Sequence, residues 1–586
     1  MEMNEVLLQS TFRRFMGKMI WNNLMVFLGP AVNGIVISCY LGTEAMASYQ
    51  ISLPLVFVVM MFSQIISLGV QNNCAKSLGM GREEEAREFY SVAVLSSLPV
   101  SLLLSFAVFT QAEGLAVLLG AQGSGAVLAD GAADYLRGLS FGIPLLLFLP
   151  MQIGIFFLEG RAKYAIRAIL VQTVVNIAGA FANVLYFQGG MFGMGLVMSF
   201  CYLSSLIVMA EGILGEDSCI RLVTSRLPWR RIFPVLRIGL PSAVDRFYKS
   251  TQVFVVNHVL LWVAPGAAIA AFADINVLNN IFNPIVMGLS ATALTMAGVF
   301  AGEQDRRSLH VLLRVSVQHA LLVAALAAGL TFLAAPLIIS LFVRESGAVF
   351  DAAVSALRIY ICYLPFRAVN NVLQKYYLGV NAMKMTYLTS LLDNFLFVCL
   401  LSVLLGYFFG AEGVWFSFLL AELLTIASLA IYIAFRQGRF PRSIADFLCL
   451  PEGFGEGSPK PFARSAASME DVVEVSEQAR QYLLAGGAPS REAMLLALAI
   501  EEMGGNIIRW GFDDGKKHSI DILVCKGDTW SMRIRDDCRA FDPKKWLELH
   551  RGEEPEKNIG IRIICGMAEE VRYARTLGLN YLFVRL

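Results

Sequence analysis

The sequence predicts two fold classes in one chain. Residues 1–437 read as a polytopic all-α membrane domain of twelve transmembrane helices in two six-helix repeats, about 10–218 and 230–437. Residues 468–586 read as an α/β domain of the α+β sandwich kind, reached through a linker over 438–467. Three observations predict this. Charge steps near residue 440: residues 1–440 hold 27 Lys+Arg and 23 Asp+Glu, and the residues after them hold 20 and 23. The first density, about 11%, is too sparse for a soluble surface, and the second, about 29%, is ordinary for one. Apolar runs long enough to cross a bilayer recur throughout the first part. Past the step, amphipathic helical patterns and short strand-like runs replace them.

The apolar runs fall at 20–41, 46–75, 89–119, 131–158, 164–187, 191–213, 234–263, 265–300, 308–343, 352–378, 385–408 and 413–435. Arg13, Arg14 and Lys18 precede the first without a small-residue cleavage site, so it is expected to stay as a span. Basic residues concentrate in alternate loops, at Arg82–Arg87, Arg161–Arg167, Arg221–Arg237, Arg306–Arg314 and Arg436–Arg439. The intervening loops carry only Arg137, Arg344 and Arg358. The positive-inside rule then puts the amino terminus and the C-terminal domain in the cytosol, with the chain in the cytoplasmic membrane. Gly81, Arg137, Pro144, Lys163 and Gly189 recur 221 residues later as Gly302, Arg358, Pro365, Lys384 and Gly410. Five coincidences at one offset mark an internal repeat. Two parallel six-span repeats around a cleft form a transporter architecture. A net charge of +1 with no basic block argues against nucleic acid as a partner. Ten cysteines without a CxxC pair read as single residues of a reduced environment.

The segments LGMGREEEAREFY, ADYLRGLSFGIPLLLF, FLEGRAKYAIRA, GGMFGMGLV and VLRIGLPSAV, in this order, resemble the multidrug and toxic compound extrusion (MATE) transporters over nearly all of residues 10–440. The resemblance implies an antiporter that uses H+ or Na+ to expel amphipathic small molecules by rocking two lobes about a central cavity. The pattern departs at the coupling residues. Where the family commonly places carboxylates in the first and fifth spans, this chain has Asn33 and Asn183, which cannot titrate, and Lys249 stands where a subgroup has a glutamate in the seventh. The acids left within spans are Asp245, Asp274, Asp393 and Glu422, and an ionisable group in a span is a functional candidate. Asp245 and Lys249 are four apart on one helix face, which suits either a structural ion pair or coupling. Asp274, within DINVLNNIFN, suits a polar cavity wall or an ion site, and Glu422 has no local partner.

In the C-terminal part, helical patterns at about 469–486 and 490–510 precede HSIDILVCK and TWSMRIRDD, a helix near 559–568, and the runs EVRYART and NYLFVRL. That order predicts helices on one face of a mixed sheet. Glu502 and Asn506 lie at i, i+4, so both side chains point one way, as a general base beside a metal-phosphate ligand would. Asp536 ends the second strand, and Gly560 opens a helix whose N–H groups suit phosphate. The five histidines stand apart from one another, with no phosphoacceptor helix before the domain.

Taken in order, these residues resemble the Bergerat-type (GHKL) ATP-binding fold of histidine kinases and gyrase-type ATPases, and most closely the anti-sigma-factor serine kinases, over about 468–586. The resemblance implies ATP and Mg2+ as cofactors, Glu502 as catalytic base, and Asn506 as the magnesium ligand through the nucleotide. It also implies Asp536 as the adenine-recognising acid, Phe541-Asp542-Pro543 as the F-D-P, Gly560 as the last glycine of the lid, and an anti-anti-sigma-type protein as partner. Cys538, Ala540 and Asn558 replace glycines of that pattern. Two functions follow as expectations: an exporter with an ATP-sensing or regulatory domain, or a transporter-like receptor signalling through a serine-kinase-type domain.

Overall fold

In hydrocarbon each backbone polar group must find its partner within the protein, and the apolar runs accordingly fold as helices. The computed structural model describes residues 3–121, 126–215, 218–223, 227–263, 267–340, 348–451, 453–454, 461–512, 518–526, 529–550 and 559–585, with the backbone alone over 3–6, 30–31, 43, 120–121, 126–127, 267–281, 348–349, 352 and 559. The first repeat contains α1 (Met3–Val36), α2 (Gly42–Gly79), α3 (Glu83–Thr110), α4 (Ala112–Ala116), α5 (Ala126–Ser140), α6 (Ile143–Leu158), α7 (Ala162–Ala182) and α8 (Gly190–Leu214). The second contains α9 (Ile232–Val263), α10 (Ala267–Gly302), α11 (Arg306–Ile339), α12 (Ala348–Ile361), α13 (Leu364–Gly379), α14 (Met383–Leu391) and α15 (Phe397–Gln437).

Length and apolarity do not return the expected twelve crossings. Among the described residues eight helices qualify, or nine if the pair bent by 53° between Ser140 and Ile143 is one span. The shortfall has local causes. Arg237, Asp245, Arg246 and Lys249 dilute α9, and the run 352–378 is divided between α12 and α13. The last two runs join in one helix through Gly410, whose φ of 66° and ψ of −148° are not helical. The break between α5 and α6 recurs 221 residues on between α12 and α13, each time with proline, Pro144 or Pro365, in the first turn of the second helix. Proline is tolerated there because its missing N–H would have no partner in any case.

The C-terminal domain comprises β1 (Phe462–Ala466), α16 (Met469–Ala485), α17 (Ser490–Gly511), β2 (Ile520–Lys526), β3 (Trp530–Asp536), α18 (Pro543–Leu549), α19 (Ile559–Met567), β4 (Glu570–Thr576) and β5 (Leu579–Arg585). Its sheet has the order β1-β2-β3-β5-β4, and every pairing is antiparallel, so the expected mixed sheet is corrected. Antiparallel neighbours need only short turns, such as Leu577–Gly578 between β4 and β5. β1 lies within the stretch expected as linker.

Alternation along the strands gives the sheet two faces. Ile520, Ile522, Val524, Trp530, Met532, Ile534 and Val584 form a core with Val472, Val475, Leu496, Ile500 and Met503 of α16 and α17. The residues between them, including Asp521, Arg533, Arg535 and Tyr581, lie on the other face and are also buried. That face meets the membrane domain. Leu577, Leu579 and Tyr581 share a hydrophobic cluster with Leu158 and Phe300.

Candidate functional site

A polar network lies within the second repeat. Asp245 on α9 accepts hydrogen bonds through Oδ1 from Gln374 (3.0 Å), Ser390 (2.9 Å) and Asn394 (2.6 Å), and pairs through Oδ2 with Lys249 at 3.1 Å. Asn394 Oδ1 accepts from Arg367 at 2.8 Å, and the Arg367 guanidinium reaches Asp393 at 2.7 Å and Glu422 at 3.4 Å. Asn370 donates to the other Glu422 oxygen at 2.6 Å. A π-helical turn, Leu392–Leu396, gives the chain one extra residue per turn and buries both Asp393 and Asn394, which are consecutive. Glu422 and Asp393 are each 2% exposed and share one arginine, while Asp393 Oδ1 and Asn370 Oδ1 are buried without a donor. Burying charge is costly unless it is paired, and Arg367 pairs two carboxylates at once.

In the first repeat, Asn33 and Asn176 both donate to Met198 Sδ at 3.1 Å, and their Oδ1 atoms are buried without donors. Asn183 instead donates to the Gly190 carbonyl at 3.0 Å, tying the end of α7 to the start of α8. Asp274 lies on α10, but its side chain is outside the described residues, as is Asn558.

In the C-terminal domain a cavity of about 430 Å³ opens between α17, the end of β3, α19 and β5. Asn506 and Asp536 line it, with Met503, Ile507 and Ile561 as apolar walls and Trp510, Phe541, Trp546 and Tyr573 as aromatic ones. Asp536 Oδ1 accepts from the Cys538 N–H at 2.9 Å and from Asn580 at 2.8 Å, and Asn580 Oδ1 accepts from the Tyr573 hydroxyl at 2.8 Å. Burial raises the Asp536 carboxyl above its ordinary range, and the Cys538 and Asn580 donors pull the other way. Gly560 packs on Glu502: a Cβ there would lie 2.3 Å from the carboxyl carbon. The Glu502 carboxylate thus sits at the amino-terminal end of α19, where the helix dipole favours negative charge. Of the four residues singled out in the sequence, Asn506 and Asp536 line the cavity, while Glu502 and Gly560 touch each other and are not among its lining residues. Neither Cys538 nor Ala540 is among the described residues with positive φ, so their side chains cost no left-handed strain. The residues present fit a purine nucleotide: flat apolar and aromatic walls, a buried acceptor for an exocyclic amine in Asp536, and the Asn506 amide in the lining.

Comparison with known proteins bears on both domains. The MatE family pattern matches residues 19–182 and 241–407, more than half of the chain. The chain belongs to the MATE family. A histidine kinase-like ATPase domain matches residues 465–585, following the MATE domain. One similar curated protein is the probable multidrug resistance protein NorM of Agrobacterium fabrum, 28% identical over 324 residues, covering 53% of this chain and 67% of that protein. The probable multidrug resistance protein YoeA of Bacillus subtilis is 21% identical, covering 58% of this chain and 74% of its own length. Among solved structures, an outward-facing multidrug resistance MATE family transporter superposes with a TM-score of 0.67 at 19% identity, covering 74% of this chain and 96% of that one. A MOP superfamily transporter from Pyrococcus furiosus gives the same TM-score and coverage at 18% identity. These likenesses show the MATE fold.

Sequence reasoning about the MATE domain missed Arg367, the partner that Glu422 lacked locally. The available signal was an arginine within the apolar run 352–378, a position that lipid does not tolerate without a counter-charge. In the ATPase-like domain it missed His518, read as standing apart, whose Nδ1 lies 2.7 Å from Asp537 Oδ1. Arg14 reaches the other Asp537 oxygen at 3.1 Å.

Proposed function

We propose that this MATE-family protein is an exporter of amphipathic small molecules across the cytoplasmic membrane, driven by H+ or Na+, with a cytosolic domain that binds ATP and regulates export. The observation carrying the coupling is the sharing of Arg367 by Asp393 and Glu422 in the second repeat. A cation arriving at either carboxylate removes its claim on the guanidinium, and Arg367 then turns wholly to the other. Because Asn394 bridges Arg367 to Asp245 on α9, that exchange is transmitted to a helix that packs against the first repeat. Asp245 and Lys249 then serve as the anchored end of the network rather than as its titrating part. Proteoliposomes loaded with a fluorescent lipophilic cation, under an imposed pH or sodium gradient, test this. Glu422→Gln should lose gradient-driven export, and export at the parent rate would overturn the assignment.

For the regulatory domain, Asp536 would accept a hydrogen bond from the adenine amine, and the aromatic walls would hold the ring. Asn506 would hold Mg2+ through the nucleotide phosphates, and Glu502 stands as a base near them. Bound ATP would supply a transferable phosphoryl group. Ligand at a hundredfold excess over Kd stabilises a protein by about 2.7 kcal/mol. ATP with Mg2+ should therefore raise the melting temperature of the full chain, and Asp536→Asn should abolish the rise. No rise in the parent would remove nucleotide binding from this reading.

A further inference from the structure

The C-terminal domain touches both repeats at one end of the helix bundle, the end that the basic loops assign to the cytosol. Its grip on the second repeat is ionic and buried. Arg533 donates to Glu303 and, at 2.7 Å, to Asp305. Arg535, 0% exposed, donates to Ser308 at 2.9 Å and to Asp521 of its own domain at 2.7 Å, and lies over the Phe300 ring. Glu303, Asp305 and Ser308 span the turn between α10 and α11. Its grip on the first repeat is lighter. The Leu577 N–H donates to the Leu158 carbonyl at 2.8 Å, Gly578 packs on Gly160, and Arg572 donates to the Gly81 carbonyl at 2.9 Å. Arg14 of α1 pairs with Asp537. The Arg572 and Arg14 side chains are 40% and 52% exposed, so water competes for both bonds.

Directly beneath this bridge the repeats are in backbone contact. Gly69 and Gly79 of α2 abut the Val235 and Val299 carbonyls, Gly239 of α9 abuts the Ile65 carbonyl, and Gly302 of α10 abuts the Lys76 carbonyl. Across the same seam Asn72 donates to the Leu378 carbonyl at 2.7 Å and Gln71 to Thr295 at 2.9 Å. A path from the cytosol to a cleft between the repeats requires this seam to part. Parting it pulls Gly81 and Leu158 away from Glu303 and Asp305, and the C-terminal domain is bonded to both sides.

We propose that the C-terminal domain is an internal clamp: it holds the cytosolic ends of the two repeats together, and the cleft opens to the cytosol only when the domain releases the first repeat while staying on the second. The asymmetry of the grips selects the releasing side. The ion cluster on the second repeat is buried and leaves charges uncompensated if either side loses its partner, whereas the side-chain bonds to the first repeat come from half-exposed arginines that exchange with water, leaving one buried backbone bond, Leu577 to Leu158, and the apolar contact around it. The clamp regulates the transport reading given above and rests on it.

The test uses the full chain in nanodiscs, with Cys39 and Cys362 replaced by serine and spin labels on Glu84→Cys and Lys384→Cys. These exposed sites lie on the cytosolic turns of the first and second repeats. The parent should show one short inter-label distance. Arg572→Ala, at the surface, and Asp305→Asn, which keeps the oxygen that caps α11, should each raise the population of a longer distance, by about tenfold or more when combined. Thermal melting of each variant separates clamp release from unfolding. If the combined variant keeps the parent distance distribution and melts normally, the clamp is wrong, whatever the transport assay gives. If the distance lengthens while no variant exports any cation, the clamp stands and the transport reading falls.

Discussion

Gly239→Ala is the sharpest perturbation of the seam between the repeats. A Cβ at Gly239 would lie 1.9 Å from the Ile65 carbonyl oxygen and 2.6 Å from its carbonyl carbon. Carbon–oxygen contacts settle near 3.3 Å, so α2 and α9 must separate by about 1.4 Å. The obstacle is backbone, which cannot rotate aside as a side chain would. Alanine favours a helix over glycine by about 1 kcal/mol, and overpacking costs about 1–3 kcal/mol or more. With a backbone obstacle the upper end applies, and the net penalty on the closed seam is about 1–2 kcal/mol, a factor of about 5–30 in the closed-to-open ratio. The Glu84–Lys384 label pair reads that ratio directly, and export rate should fall with it. Gly17→Ala, where a Cβ meets nothing within 4 Å, is the matched control. If Gly239→Ala gives the parent distances and the parent rate, the close-packed seam is not a state through which the protein works.

Two further outcomes follow from charge. Arg367→Met leaves Asp393 and Glu422 buried without their cation, which should cost about 3–5 kcal/mol and lower the melting temperature, with part of the loss recovered by adding Glu422→Gln. Docking of the C-terminal domain should also depend on pH, with opposite signs from two neighbours. Burial holds the Glu303 carboxyl above its ordinary range despite Arg533 and Arg535, so the docked state prefers the protonated acid and weakens as pH rises through that raised value. Burial also acts on Asp305, but Arg533, Arg535 and the Ser308 N–H outweigh it and hold its carboxyl below the ordinary range. Its contribution is present above the ordinary aspartate pKa and is lost as pH falls through the depressed value. The label-pair distance measured against pH should therefore show a higher-pH limb that Glu303→Gln removes and a lower-pH limb that Asp305→Asn removes; a higher-pH limb unchanged by Glu303→Gln would refute the assignment.

The helices, the strands and the placing of Asn506 and Asp536 at the C-terminal cavity were legible because their signals are local. Apolar length, period-2 alternation and the i, i+4 spacing of Glu502 and Asn506 are all read within a few residues. What escaped depends on distance along the chain. Arg367 meets Asp393 and Glu422 from 26 and 55 residues away, on other helices. Arg533 and Arg535 look in sequence like the wetted face of a strand, and only the turn 230 residues earlier makes them a buried interface. Pairing direction in the sheet was also unreadable, since the order of helices and strands is the same for mixed and antiparallel sheets. Cys538 and Ala540 looked like damage to a glycine pattern, yet neither occupies a conformation that needs glycine.

The order β1-β2-β3-β5-β4 has a consequence for biogenesis. β5 follows β4 in the chain yet lies between β3 and β4, so the sheet has a gap until residues 579–585 have left the ribosome. The same strand carries Leu579 and Tyr581 into the core shared with the membrane helices. Completion of the sheet and seating of the domain are therefore one event, after the helices of both repeats have been synthesised. A nascent or prematurely terminated chain lacking those seven residues would carry a membrane domain with an uncovered apolar patch where the C-terminal domain docks, a feature that quality-control proteases and chaperones can recognise.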